Sequence, residues 1–322
     1  MLQQQAFVGE KTMLKGCLHC HTTRSDGPMT PEDTIRYYKE RGYDFMALTD
    51  HRIYNYTNYA PETGLIVVPA VEMSTLNIFR NDGNGFGCFH SVCIGPSKED
   101  GNGFLQDEEW PDLPVVNSEE FQPYLDEMHQ KNNLTIYCHP EWSGTPARLF
   151  ETQKGHFAME IWNSASAMNS DCDKDAAYWD EVLNQGVRLW GVAVDDSHGV
   201  KDCCNGWVMV RAEKDLNSIL AALKAGAFYS SCGPEIYNFY IKDNKFMIDC
   251  SPVAKIRLHS LRQPTKMVYS EKGDLTHAEF PAEWCNNYPH ARFTIIDKDG
   301  KHAWTNPIFP IYDGPKVIGL QP

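Results

Sequence analysis

The residues best suited to chemistry begin in Leu18-His19-Cys20-His21-Thr22-Thr23-Arg24-Ser25-Asp26-Gly27, where two histidines alternate around a cysteine and an aspartate follows in a turn. Residues 12–18 read as a short strand, and positions two apart on a strand project to the same face. His19 and His21 can therefore aim at one spot while Cys20 points away, and the chain leaving the strand can fold Asp26 back toward them. Two imidazoles and a carboxylate form the donor set of a transition-metal site. Similar donors recur at later strand exits: His51 after residues 45–48, Glu72 after 65–71, His90 on 86–94, His139 after 134–138, and Asp196 with His198 after 188–194. That makes six histidines and three carboxylates, more than one ion needs. Two or three divalent ions are expected, zinc, iron or manganese rather than calcium or magnesium, with Glu72 or Asp196 as a bridge. Metal-bound water ionises near neutral pH and supplies a nucleophile, so hydrolysis is the expected reaction without a serine or cysteine nucleophile.

The elements that must position these donors alternate in type. Thr30-Pro31-Glu32-Asp33 is a helix start, with Thr as cap, Pro at the first position and acids in the first turn. That helix is expected to run to about Arg41 and stop at Gly42. Further helices are expected over 118–131 with Ser118 as cap, from 171–175 to about Gln185, and over 216–224 closed by Gly226. Residues 158–162 form one more strand. Strands alternate with helices or loops about seven times, which predicts an α/β barrel of parallel strands. In such barrels the strand exits carry the active site. Asp171-x-Asp173-x-Asp175 opens like a calcium loop, but Ala176 and Val182 stand where Gly and Glu are needed, so it reads as a helix amino terminus. The identical pentapeptides Asp82-Gly-Asn-Gly-Phe86 and Asp100-Gly-Asn-Gly-Phe104 read as turns rather than phosphate loops, because neither is followed by a clear helix. From Phe228 the texture changes. Strands over 237–241, 245–249, 254–259 and 291–296 predict a small β-rich carboxy-terminal unit. The expected division is an extension over 1–12, a barrel over 13–231 and the β-rich unit over 232–322.

The chain has 322 residues, 42% hydrophobic and 22% charged, enough for a large barrel with an appendage. Its formal net charge of −14 excludes the cationic stripe of a long nucleic-acid partner, and a small-molecule substrate is expected. No apolar run reaches membrane-spanning length, and residues 1–12 lack the basic and apolar regions of a secretory signal. The 11 cysteines, without paired spacing, read as reduced thiols. A cytoplasmic location without a membrane partner is expected.

His19-x-His21-x-x-x-Ser25-Asp26-Gly27, Thr49-Asp50-His51, Glu72, His90, His139-Pro140 and Asp196-x-His198 resemble the motifs of the PHP (polymerase and histidinol phosphatase) family over about residues 13–200. The resemblance fills all nine ligand positions and implies a distorted seven-stranded TIM-like barrel with a trinuclear site. By that resemblance His19, His21, Glu72 and Asp196 hold one ion, Glu72, His90 and His139 the second, and Asp26, His51 and His198 the third. A narrower resemblance, carried by residues 227–235, 249–252 and 303–308, is to the tail of the carbaryl-hydrolase-like branch. It implies esters, carbamates or amides beside phosphoesters. The expected function is a metal-dependent phosphoesterase acting on a small phosphorylated metabolite through a metal-bridging hydroxide. The alternatives are a carbamate, ester or amide hydrolase on the same centre, and a non-catalytic scaffold module.

Asp196, Glu72 and Arg52 are the expected catalytic residues. Arg24 and Arg52 border the expected mouth, where either could clamp an oxyanion, Arg24 having a surface ion pair as its alternative. Asp50 and Asp195 could orient imidazoles or serve as loop acids. Glu160 and Asn163 are expected to form structural hydrogen bonds. Tyr54, Tyr56 and Tyr59 are expected to pack a loop, and Trp162, Trp179 and Trp190 the core. His129, His156, His259, His277, His290 and His302 are left as core or surface histidines.

Overall fold

The computed structural model describes residues 13–76, 78–80, 85–101, 113–115, 117–147, 150, 153–260, 265–282 and 290–309. The expected amino-terminal extension and most of the two Asp-Gly-Asn-Gly-Phe turns lie outside the described residues. Strands β1 (Met13–Cys17), β2 (Phe45–Ala47) and β3 (Ile66–Val68) pair in parallel, with helix α1 (Pro31–Glu40) between the first two. The helix starts where its sequence dictates: Thr30 accepts a hydrogen bond from Asp33 N, Pro31 opens the first turn, and Ile35 and Tyr38 bury the inner face. Strand β4 (Ala70–Ser74) follows at once. A hairpin of β5 (Ile78–Arg80) and β6 (Gly85–Gly87) leads to β7 (His90–Ile94), antiparallel to β4. Then come α2 (Ser118–Gln130), β8 (Leu134–Tyr137), β9 (Ala158–Asn163), α3 (Ser164–Ser170), α4 (Asp175–Asn184), β10 (Trp190–Val194), β11 (Trp207–Arg211), α5 (Leu216–Ala225) and β12 (Phe228–Ser231).

The strands are not all parallel. β7 runs against both β4 and β8, and β11 runs against β1 and β12. A parallel return needs a crossover of a dozen residues or more, usually helical. No α-helix among the described residues lies between β4 and β7 or between β10 and β11, and the strand after each link runs against its sheet neighbours. Among the described residues the ladders make two main sheets rather than one closed ring. One runs β10-β9-β8-β7-β4, and in the other β12, β11, β1, β2 and β3 are neighbours in that order. At one seam β3 passes into β4 through Pro69, which has no N–H for a ladder. At the other, Ser230 Oγ donates to Gly191 O (2.8 Å) and accepts from Ala193 N (3.1 Å), tying β12 to β10.

Two helix signals are displaced. Asn117, not Ser118, caps α2, accepting from Glu120 N. Asp171 closes α3 in a left-handed conformation (φ 54°) and does not open the next helix. The carboxy-terminal region is β-rich: β13 (Ile236–Lys242), β14 (Lys245–Val253), β15 (Lys255–His259), β16 (Thr265–Tyr269), β17 (Leu275–Pro281), β18 (Arg292–Ile296) and β19 (His302–Thr305). β13, β14 and β17 form a sheet of their own. β19 pairs with β12, so β15, β16, β18 and β19 continue the sheet that holds β1. No helix among the described residues is long and apolar enough to cross a membrane.

Burial depresses three histidines away from the cavity. His156 falls to about 3, His259 to about 2 and His290 to about 3, with Arg292 adding to the last two. Their folded values lie below the unfolded value of about 6.5. Their contribution to stability is therefore complete above that pH and is lost as pH falls toward the folded values. At pH 5 each costs on the order of 2 kcal/mol relative to pH 7. The urea midpoint is expected to drop clearly between pH 7 and pH 5, and an unchanged midpoint contradicts neutral burial.

Candidate metal centre

The chain stays extended beyond β1, held to the exit of β2 by Cys20 N donating to Thr49 Oγ1 (3.0 Å) and Thr49 N to Cys20 O (2.8 Å). This carries His19 and His21, both fully buried, to the same point. His19 Nε2 lies 3.1 Å from Asp196 Oδ1 and 3.4 Å from Glu72 Oε2, and His21 Nε2 lies 3.0 and 3.3 Å from the same two atoms. Asp196 is drawn in by its own N–H, which donates to His19 O (3.0 Å), and by a left-handed backbone (φ 51°). Glu72 stands between two sets of imidazoles. Its Oε2 is also 2.9 Å from His51 Nδ1, while its Oε1 is 3.0 Å from His90 Nδ1 and 3.3 Å from His139 Nε2. Asp26, half exposed, places Oδ2 3.3 Å from His198 Nε2 and 3.6 Å from His51 Nε2. The donor atoms of His19, His21, Glu72 and Asp196 lie within 4.8 Å of one another, as do those of His21, Asp26, His51 and His198. All nine side chains meet in one place, with His90 joined to the rest through Glu72 and His139 through Glu72 and Asp196 Oδ2 (3.8 Å).

Buried neighbours fix the orientation of these rings. His19 Nδ1 donates to Glu160 Oε1 (2.6 Å), which leaves Nε2 facing the cluster. Glu160 Oε2 accepts from His139 N (2.9 Å) and Asn163 Nδ2 (2.8 Å), and Asn163 also donates to Asp196 Oδ2 (2.9 Å). His198 Nδ1 donates to Asp196 O (2.8 Å), so its Nε2 faces Asp26. Glu160 and Asn163 thus make the hydrogen bonds expected of them, and they reach the donors directly. Asp50 and Asp195 are buried and fasten loops. Asp50 accepts from Thr22, Ser25 and Asn55, and Asp195 from Tyr38 OH and the N–H groups of Cys204, Asn205 and Gly206.

The charges suit cations. Burial alone would raise Glu72 and Asp196, but the facing histidines, His19 first, outweigh it and hold both carboxyls well below their usual range. Burial would lower His21, yet Asp196 and Glu72 raise it to about 10. His19 and His90 are raised well above their usual value against the same burial effect, His19 by Asp196 and Glu72, His90 by Glu72. Glu72 Oε2, Asp196 Oδ1 and His51 Nδ1 are buried and form no hydrogen bond, although imidazole nitrogens stand 3.0 Å from Asp196 Oδ1 and 2.9 Å from Glu72 Oε2. Buried polar atoms crowded together without hydrogen bonds are the kind that a cation satisfies. Imidazole and carboxylate donors converging in this way fit divalent metal ions.

All of the donors except His19 and His21 line a cavity of about 340 Å³. Trp142 and four residues of α3 (Ala165, Ser166, Asn169 and Ser170) complete its wall. Arg52 does not line it. One residue beyond His51 on a left-handed turn (φ 58°), Arg52 donates its backbone N–H to Glu72 O (2.9 Å) and its guanidinium to Ser74 Oγ (3.3 Å). Arg24 is likewise turned away, bonded to Asn55 Oδ1 (2.7 Å) and Tyr59 OH (3.1 Å). Tyr54 is buried in an apolar cluster. Sequence reasoning passes over Trp142 and α3, whose small neutral residues carry no chemical signature. It also passes over Cys138, whose thiol lies among the donors of His19, Glu160, Glu72 and His139. Strand alternation sends Cys138 and His139 to opposite faces, but the positive φ of His139 (24°) breaks that alternation.

The described residues thus form a mixed α/β protein with a buried His/Glu/Asp cluster of the kind that binds metal. No family model and no curated protein matches the chain. Among solved structures it is similar to a two-domain protein from Bacteroides vulgatus ATCC 8482 containing a predicted PHP-like metal-dependent phosphoesterase, at 14% identity over 96% of this chain and 99% of that one, TM-score 0.49. It is also similar to a protein from Bifidobacterium adolescentis ATCC 15703 assigned as a metal-dependent phosphoesterase, at 13% identity over 59% and 90% of the chains, TM-score 0.40. A third is an amidohydrolase from Chromobacterium violaceum with bound sulfate and no metal, at 15% identity over 66% and 96% of the chains, TM-score 0.42.

Proposed function

We propose that the protein is a metal-dependent hydrolase and that its substrate is a small phosphoester. The observation that carries this reading is the convergence of six imidazoles and three carboxylates in one cluster, seven of them lining one cavity, with Glu72 between two sets of donors. The residues proposed to hold ions are His19, His21, Glu72 and Asp196 in one group, Asp26, His51 and His198 with His21 in a second, and His90 and His139 with Glu72 in a third. Divalent ions bound there supply Lewis acidity and activate water. Glu160 keeps the Nδ1 proton on His19, and the Asp196 carbonyl keeps the Nδ1 proton on His198, so both rings present their Nε2 lone pairs. In the reaction the oxygen of water bonds to phosphorus, the ester P–O bond breaks, and one water proton ends on the leaving alcohol. The net charge of −14 opposes long polyanions, so the substrate proposed is small.

The test is release of phosphate from aryl and alkyl phosphates by protein supplemented with manganese, zinc or iron. Turnover is expected, abolished by a chelator and restored by the ion. No turnover of any phosphoester in a broad panel contradicts the reading. Cleavage of aryl carbamates or esters instead points to acyl or carbamoyl transfer to water on the same centre. A protein that takes up no ion points to a scaffold.

A further inference from the structure

We propose that Trp142 and α3 form a leaving-group subsite that selects a phosphoester with a flat, single-ring aromatic leaving group. This rests on the phosphoesterase reading and adds the substrate class. Trp142 is 42% exposed and, unlike the other large exposed apolar side chains among the described residues, it lines the cavity. Part of its exposed surface borders the cavity. A large apolar ring held open inside a cleft is a binding feature more often than a packing one.

The histidines hold that ring from one side. Its centroid lies 5.0 Å from the His139 ring at an interplanar angle of 81°, and 6.0 Å from the His90 ring at 52°. The indole therefore stands edge to face with His139 and tilted to His90, beside two of the donors. Ser166, Asn169 and Ser170 line the cavity from α3. Asn169 Nδ2 is engaged by Asp202 Oδ1 (3.1 Å), so the amide oxygen is the atom placed to accept a hydrogen bond from a ligand. The wall thus divides in function. Carboxylates and imidazoles hold ions that meet the phosphate, while an indole and small neutral polar groups meet the remainder of the ester. A cavity of about 340 Å³ sits at the small end of the ligand-pocket range of roughly 300–1,000 Å³, which suits one ring beside a phosphate.

The test compares phenyl phosphate with glycerol phosphate on manganese-loaded protein. Trp142→Ala is expected to lower the ratio of kcat/KM for phenyl phosphate to that for glycerol phosphate roughly tenfold, through KM, the size of one aromatic contact. Trp142→Phe is expected to restore most of the ratio. An unchanged ratio in Trp142→Ala, with both substrates still turned over, overturns the subsite while leaving the phosphoesterase reading intact. Calorimetric binding of phenylphosphonate and methylphosphonate separates the opposite failure. If neither phosphate ester is turned over, tighter phenylphosphonate binding that disappears in Trp142→Ala supports the subsite and sinks the phosphoesterase reading. Equal binding of the two phosphonates by the unaltered protein overturns the subsite.

Discussion

Glu72→Gln is expected to lower kcat/KM for a phosphoester at least about 10³-fold, a loss of roughly 4 kcal/mol of transition-state stabilisation. It is also expected to strip at least one ion from the protein. Glu72 is fully buried, with Oε2 facing His19, His21 and His51 and Oε1 facing His90 and His139. Glutamine keeps the shape, but it removes the negative charge and turns one acceptor into a donor aimed at imidazole nitrogens. The cost falls on the chemistry more than on the fold, because the side chain still fills its space. Elemental analysis of the variant beside its kinetics checks this. Full metal content together with full activity contradicts a bridging role.

Glu160→Ala is expected to weaken ion binding 10- to 100-fold, although Glu160 does not line the cavity. One carboxyl holds His19 Nδ1 (2.6 Å), His139 N (2.9 Å) and Asn163 Nδ2 (2.8 Å). Alanine frees the His19 ring to rotate and to change tautomer. It also leaves the buried His139 N–H unpaired, at about 1–3 kcal/mol of stability, while Asn163 Nδ2 keeps its bond to Asp196. Competition with a chromophoric chelator measures the affinity, and thermal unfolding of ion-free protein measures the stability. Unaltered affinity in a folded variant contradicts the orienting role. Loss of stability alone, with affinity retained, assigns Glu160 to the scaffold.

The donors are legible in the sequence because they combine distinctive residue types with short apolar strands that end just before them. His19 and His21 follow β1, His51 follows β2 and His139 follows β8, and the structure brings these exits together around Glu72. Helix α1 is equally legible, since Thr30, Pro31 and the first-turn acids are local signals. Strand direction is not local. The reversal of β7 and β11 depends on what lies between strands, and a hairpin or a loop differs little from a crossover in composition. The same holds for the sheet that runs from β1 through β12 into β19, because no residue of β12 announces its partner. Arg52 shows a different limit. A charged residue beside a donor looks catalytic, yet its left-handed backbone turns it toward Ser74. Trp142 and α3 escape notice for the opposite reason, since a tryptophan and small polar residues look like packing until a cavity opens beside them.

The most direct measurement is anomalous diffraction at the manganese edge from crystals grown with that ion. Two or three peaks are expected, each within bonding distance of atoms from at least three of His19, His21, Asp26, His51, Glu72, His90, His139, Asp196 and His198. Folded protein whose crystals show no peak among these side chains, with manganese present in excess, contradicts the metal centre and the hydrolysis that depends on it.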